Sequence, residues 1–139
     1  MAETDIPETH RDLLMGPGIA ILSTLGADQT IQSSLVWFDY RDGVFTINVV
    51  ESSPKARNLA RHPKATLLIM DNRNADRYLS VRCDVIRFQK ERAIEHLDKL
   101  TKRNMDQNCW YGGAVEDDPA EAADRVIVCL KPERIYCTE

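Results

Sequence analysis

The sequence predicts a mainly β domain, a barrel of six or seven antiparallel strands with short flanking helices, and three observations carry that expectation. Apolar and polar residues alternate with a period of two in run after run, and turn residues separate the runs. The stretch Arg77 to Gln89, RYLSVRCDVIRFQ, alternates over a length unusual for a strand, the sort that bends around a closing sheet. No strand–helix–strand repetition and no GxGxxG occurs, which excludes a doubly wound dinucleotide-binding fold.

Composition sets the frame. A chain of 139 residues, 43% of them hydrophobic, suits one domain with one core. The net charge of −4, with basic and acidic residues intermixed, argues against nucleic-acid binding. No apolar run approaches the roughly 18 residues of a membrane span, and the start, MAETDIPETHRD, is acidic where a secretion signal is basic and then apolar. The expectation is a cytoplasmic protein that touches no membrane.

Taken in order, Glu8 to Met15 reads as a short helix ended by Gly16-Pro17-Gly18. IAILSTL, from Ile19, and TIQSSLVWFDY, from Thr30, form a hairpin around Gly26-Ala27-Asp28. On the second strand Ile31, Ser33, Leu35 and Trp37 share one face and Gln32, Ser34, Val36 and Phe38 the other. From Leu35 onward both faces are apolar, so something besides the strand's own core must cover it, a second subunit or a bound cofactor. Arg41-Asp42-Gly43 turns the chain into Val44–Val50, with Phe45, Ile47 and Val49 inward.

The segment from Val49 to Lys64, VVESSPKARNLARHPK, gathers anion-binding devices. Ser53 reads as a helix N-cap with Pro54 at the first helical position. The helix tip offers free N–H groups, Ser52 and Ser53 add hydroxyls, and Lys55, Arg57 and Arg61 add cations, a fitting seat for a phosphate. The competing reading is an ordinary amphipathic helix, with Ala56, Leu59 and Ala60 on the core and Lys55, Asn58, Arg61 and His62 in solvent.

Beyond it, ATLLIM from Ala65 is a central strand, Asp71 to Asp76 a loop, and Arg77–Gln89 places Leu79, Val81, Cys83 and Val85 on one face. Lys90–Arg103 reads as an amphipathic helix docking through Ile94, Leu97 and Leu100. Asn104 to Asp124 is irregular, and Trp110-Tyr111 followed by two glycines forms either a lid or a pin onto the core. RVIVCL and ERIYC, around Lys131-Pro132, supply one or two closing strands. No cysteine pair or histidine spacing makes a metal site, and no nucleophile or phosphate-loop motif occurs. Cys83 and Cys129 read as buried thiols, leaving Cys109 as the accessible one.

The order SSLVWFDYRDGVFTINV, ESSPKARNLARHPKATLLI, DRYLSVRCDVIRF, a helix, then DRVIVCLKPERIY, resembles the split β-barrel flavoproteins related to pyridoxamine 5′-phosphate oxidase over nearly the whole chain. Within that family KARNL at Lys55–Leu59 is similar to the small members that use the deazaflavin coenzyme F420 instead of FMN. The resemblance implies a homodimer with cofactor sites at the subunit interface, the cofactor phosphate on Ser52, Ser53, Lys55 and Arg57, and Asn58 among the other cofactor-binding residues. It implies a ring lying along Leu22–Thr24 and the stretch from Ser33 and Ser34 to Val36, with Gln32 also contacting the cofactor, near Asn48 and Met70, and with Arg77 and Tyr78 supplied across the interface. One departure is Glu51, which a polyanionic cofactor tail tolerates only if Arg57, Arg61 and Arg77 offset it.

The expected activity is hydride transfer between coenzyme F420, or FMN, and a planar conjugated small-molecule acceptor, with Tyr78 or Tyr111 as candidate proton donors. Two alternatives stand beside it: a non-catalytic protein that sequesters a flavin, haem or tetrapyrrole, and an FMN-dependent pyridoxamine-phosphate oxidase. The last expects more C-terminal arginines than Arg134 alone.

Overall fold

The computed structural model describes residues 5–138 as a six-stranded antiparallel barrel. The strands are β1 (Ile19–Leu25), β2 (Ile31–Arg41), β3 (Val44–Val50), β4 (Lys64–Asp71), β5 (Asn74–Gln89) and β6 (Arg125–Cys137), closed in the order β1-β2-β3-β6-β5-β4. Three helices decorate them: α1 (Pro54–Arg61), α2 (Ala93–Met105) and α3 (Pro119–Ala123), preceded by a 3-10 segment at Glu8–Leu14. None is long and apolar enough to cross a membrane among the described residues.

The alternation works as the sequence implies. Leu22, Phe38, Phe45, Ile47, Val49, Leu67, Leu79, Val81, Val128 and Leu130 are buried in one core, to which α1 adds Ala56 and Leu59. Asp42 and Gly43 take φ of +53° and +80° between the paired Arg41 and Val44, the two-residue turn whose twist matches a hairpin. β5 owes its length to two register shifts against β6, at Arg82/Cys83 and Val85/Arg87, which bend it around the barrel.

Several boundaries differ from expectation for identifiable reasons. Asp71 to Asp76 is not a loop: Asp71 pairs with Asn74, so only Asn72 and Arg73 turn. Of the one or two closing strands expected the chain forms one, because Pro132 sits opposite Cys83 at a register shift where no ladder hydrogen is required. Helix α2 docks through Ala93, Leu97, Leu100 and Thr101, and Ile94 stays 37% exposed at the rim. Ala93 instead joins Ile127 and Cys129 in a second, outer cluster. Cys109 is half-buried and Cys137 is the exposed cysteine, since the last residues of β6 turn their outer face to solvent. Asn58 is not solvated but 7% exposed, donating to Thr24 Oγ1 (3.1 Å) and Gln32 Oε1 (3.2 Å) and so anchoring α1 to the barrel rim.

One feature of the barrel positions the site. β2 and β3 pair only where Phe38 to Arg41 face Val44 to Ile47. Earlier in β2, from Ile31 to Trp37, the strand is laddered to β1 alone, and the barrel splits there.

Candidate functional site

The mouth of that split is a cleft of about 260 Å³ lined by Ile19, Leu35, Val36 and Trp37, Asn48 of β3, Lys55 of α1, Leu97 and Leu100 of α2, Trp110 and Arg125. Its walls are mostly apolar and aromatic. Trp110 meets Trp37 edge-on, ring centroids 5.5 Å apart at 90°, and its backbone N–H donates to Asp98 Oδ1 at 3.0 Å. Of the two readings of the 104–124 segment, the contact of Trp110 with Trp37 matches the pin, and that pin is also a cleft wall.

Two cations face this apolar space. Burial, then the neighbouring Arg125 charge, hold the Lys55 ammonium below its usual value. Among the described residues no carboxylate lies within ion-pair distance of Lys55, and Arg125 reaches Glu121 only at 3.9 Å. Arg125 Nε donates to Tyr111 Oη at 2.9 Å, and Tyr111 donates to Glu121 Oε2 at 2.6 Å, so the guanidinium is aimed by a clamp behind it. Two like charges in a half-buried, largely apolar cleft are costly unless an anion joins them.

The helix tip forms as the sequence implies. Ser53 Oγ accepts from Ala56 N–H at 3.4 Å and donates to Val50 O at 2.6 Å. Its neighbour is engaged from within: Ser52 Oγ and N–H both donate to Asp124 Oδ2, at 2.6 and 3.3 Å. The protein's own carboxylate thus takes donors that were expected to meet a phosphate. Arg57 is exposed, and Arg61 donates to Asn58 Oδ1 at 3.0 Å. Glu51 is offset by Lys90 at 3.3 Å, not by Arg57, Arg61 or Arg77.

The remaining candidates lie apart from one another. Ser33 bonds Ser23 (2.9 Å) on the outer face beside the cleft, Gln32 accepts from Asn58, and Ser34 Oγ is buried without a partner among the described residues. Met70 and Tyr78 lie on β4 and β5 in a trough of about 700 Å³ with Leu68, Ser80, Arg82 and Tyr136. Arg77 is saturated: it grips Asp12 through both terminal nitrogens, donates to Thr9 O (3.0 Å) and pairs with Asp71 (3.0 Å). These contacts tie the N-terminal 3-10 segment to the β4–β5 hairpin. Tyr111 lies behind Arg125 and does not line the cleft, and burial, then its bond to Glu121, raises its pKa.

The chain does not gather all the candidates in one cleft, but its surface connects them. Ile19 and Leu35 line both the cleft and a smaller pocket shared with Leu68 and Met70. The resulting outer face of β1, β2 and β4 leaves Leu35 71% and Ile31 73% exposed. Arg125 and His96 were missed from sequence, whereas Trp37 belongs to the stretch from Leu35 onward that the sequence marks as needing a cover. The signal for Arg125 was its place at the start of the closing strand, but only pairing of β6 with β3, Val50 opposite Arg125, brings it to α1.

Among known structures the chain is similar to an F420 reductase, at 29% identity and TM-score 0.80, covering 94% of this chain and 98% of that one. It shares the fold with General Stress Protein 26 from Bacillus anthracis (19% identity, TM-score 0.68, 94% and 92% covered). The same holds for the haem storage protein HutZ from Vibrio cholerae (14%, 0.64, 94% and 92%). No curated protein matches the sequence. The family model described as pyridoxamine 5′-phosphate oxidase matches residues 6–139. With that match spanning the barrel, the cleft and the closing strand, the chain belongs to the pyridoxamine 5′-phosphate oxidase family.

Proposed function

We propose that this protein is an oxidoreductase that holds a planar redox cofactor with an anionic tail in the cleft at the barrel split, coenzyme F420 in preference to FMN. The observation that carries the reading is the pair Lys55 and Arg125, with no carboxylate paired to Lys55 among the described residues, at the edge of a cleft walled by Trp37 and Trp110. The cations suit a phosphate, and the aromatic and aliphatic walls suit a flat ring. Similarity to an F420 reductase supports the choice of cofactor.

When bound, such a cofactor supplies the hydride itself. The chain's residues then bind and orient. Lys55 and Arg125 grip the tail, Ser53 fixes the start of α1 so that Lys55 stays in place, and Leu35, Trp37 and Ile19 give the ring an apolar bed that excludes water. The acceptor is a planar conjugated small molecule laid against the exposed face of the ring.

The exposed strip of Ile31, Leu35, Ile19 and Met70 supports a homodimer, in which a second copy covers this face and brings its Met70 and Tyr78 toward the cleft. Ser52, Ser33, Gln32, Asn58 and Arg77 have supporting places in this reading, since their side chains are engaged within the fold, while the exposed Arg57 and the buried Ser34 hydroxyl stand at its margin.

The test is titration of the apo-protein with F420 and with FMN, followed by fluorescence, for the native chain and for Lys55→Ala and Arg125→Ala. A lost charge-assisted hydrogen bond of about 1.5–3 kcal/mol predicts roughly 10- to 150-fold weaker binding for each variant. Unchanged affinity in both would refute the cleft. Tight haem or tetrapyrrole binding without turnover of reduced cofactor would favour the sequestering alternative.

A further inference from the structure

His96 stands where α2 crosses β3, and its ring bonds at both nitrogens. Nδ1 lies 3.1 Å from Asn48 Nδ2, and Nε2 lies 2.9 Å from Thr46 Oγ1. Asn48 Nδ2 also donates to the Ala93 carbonyl at 2.7 Å. These contacts admit one proton assignment. An amide nitrogen carries two hydrogens and accepts nothing, so Nδ1 of His96 must be the bare nitrogen. The ring hydrogen therefore sits on Nε2 and donates to Thr46. Turning the Asn48 amide over would set its oxygen against the Ala93 oxygen at 2.7 Å, two acceptors facing each other.

This leaves Asn48 Oδ1. It is buried, no partner satisfies it among the described residues, and Asn48 lines the cleft beside Lys55 and Trp37. A buried carbonyl oxygen without a donor costs on the order of 1–3 kcal/mol, and folded proteins seldom carry that cost without a use. A ligand N–H arriving in the cleft would satisfy it.

We infer that His96 is a positioning residue for the cleft: by accepting from Asn48 Nδ2 it locks the amide with Oδ1 free, so that the site selects a heterocycle presenting an N–H, such as the imide of a pyrimidinedione ring, over one presenting only acceptors. The inference rests on the cleft being the cofactor site. It adds which edge of the ring is read, and by what. His96 does not touch the ligand. It removes the freedom of Asn48 to rotate and offer a donor in place of an acceptor, which a lone asparagine would retain.

The experiment compares equilibrium binding of FMN and of FMN methylated at the imide nitrogen, by fluorescence, in the native protein, His96→Leu and His96→Asn. The native protein should prefer FMN about tenfold. His96→Leu, which cannot accept, should lose most of that preference, and His96→Asn, whose amide oxygen can occupy the place of Nδ1, should regain it. Equal preference in all three folded proteins overturns the inference and leaves the cleft intact. Binding of neither FMN nor F420 to the native protein instead overturns the cleft, and the inference with it. Nitrogen-15 shifts of the His96 ring in the native protein give a separate readout that needs no variant to fold: a hydrogen on Nε2 supports the inference, and one on Nδ1 overturns it.

Discussion

Mild acid should destabilise this protein through His96 before its carboxylates respond. Burial pushes the His96 imidazole down from 6.5 to about 4, with Asp39 weakly opposing and Lys99 adding to the effect. The folded chain therefore refuses a proton that the unfolded chain accepts, and stability falls wherever the unfolded state binds more protons. The stability tied to the neutral ring is present in full above about pH 6.5, declines as the pH drops toward 4, and has nothing further to lose once the folded ring is protonated too. At about 1.36 kcal/mol per decade of proton activity, the loss between about pH 7 and pH 4.5 is on the order of 2 kcal/mol. Urea unfolding of the native protein and of His96→Asn across that range isolates the effect. Asp12, Asp28, Asp71, Asp106 and Asp124, all held below the usual carboxylate value by hydrogen bonds, act at lower pH and are common to both proteins. The native curve should fall more steeply by about 2 kcal/mol; parallel curves would show that the ring is solvated or already charged, and would refute the burial argument.

Three other perturbations probe separate parts of the fold. Leu35→Asp places a charge in the middle of the outer β1–β2–β4 face and should convert a dimer to a monomer in analytical ultracentrifugation; a native protein already monomeric at micromolar concentration would remove that face as an interface. Gly113→Ala would put a Cβ 2.5 Å from Cys109 O and 2.8 Å from its Sγ, so the turn must open and release Trp110 from Trp37. Its signature is a change in near-ultraviolet circular dichroism with the far-ultraviolet spectrum kept, and an unaltered near-ultraviolet signal would mean that the turn adapts. Gly43→Val forces a branched residue to φ +80° and should cost about 1–2 kcal/mol in urea, whereas no loss would mean that the hairpin accepts another turn type.

The barrel was legible because its information is local. Alternation marks a buried face within a single strand, and Asp42-Gly43 names its own turn, so the strands, the N-cap at Ser53 and the start of α1 follow from neighbours in sequence. Of the residues that line the cleft, sequence reasoning named Lys55, Asn48 and Val36, marked Leu35 and Trp37 only as a stretch needing cover, and read Trp110 only as a lid or a pin. Arg125, Trp110 and His96 come from parts of the chain distant from α1, and what makes them a site is the pairing of β3 with β6 and the crossing of α2 over β3. Sequence reasoning also read Ser52, Asn58 and Arg77 as open hydrogen-bonding groups. It could not foresee that Asp124, Gln32 and Asp12 would be delivered to them. A donor's chemistry is written in its residue type, but whether it is already spent is a property of the packed chain.

The early departure of β3 from β2 has a bearing on how such a protein can change over generations. Along Ile31 to Trp37 one margin of β2 lacks the ladder to β3, and peptide groups there are the same whatever side chains the strand carries. A molecule lodged in the gap and bonded to that margin is held by atoms that ordinary substitution cannot alter. Side chains around the gap are then free to drift toward new reactants while the grip persists, and only proline, by deleting a main-chain hydrogen, would loosen it at a stroke.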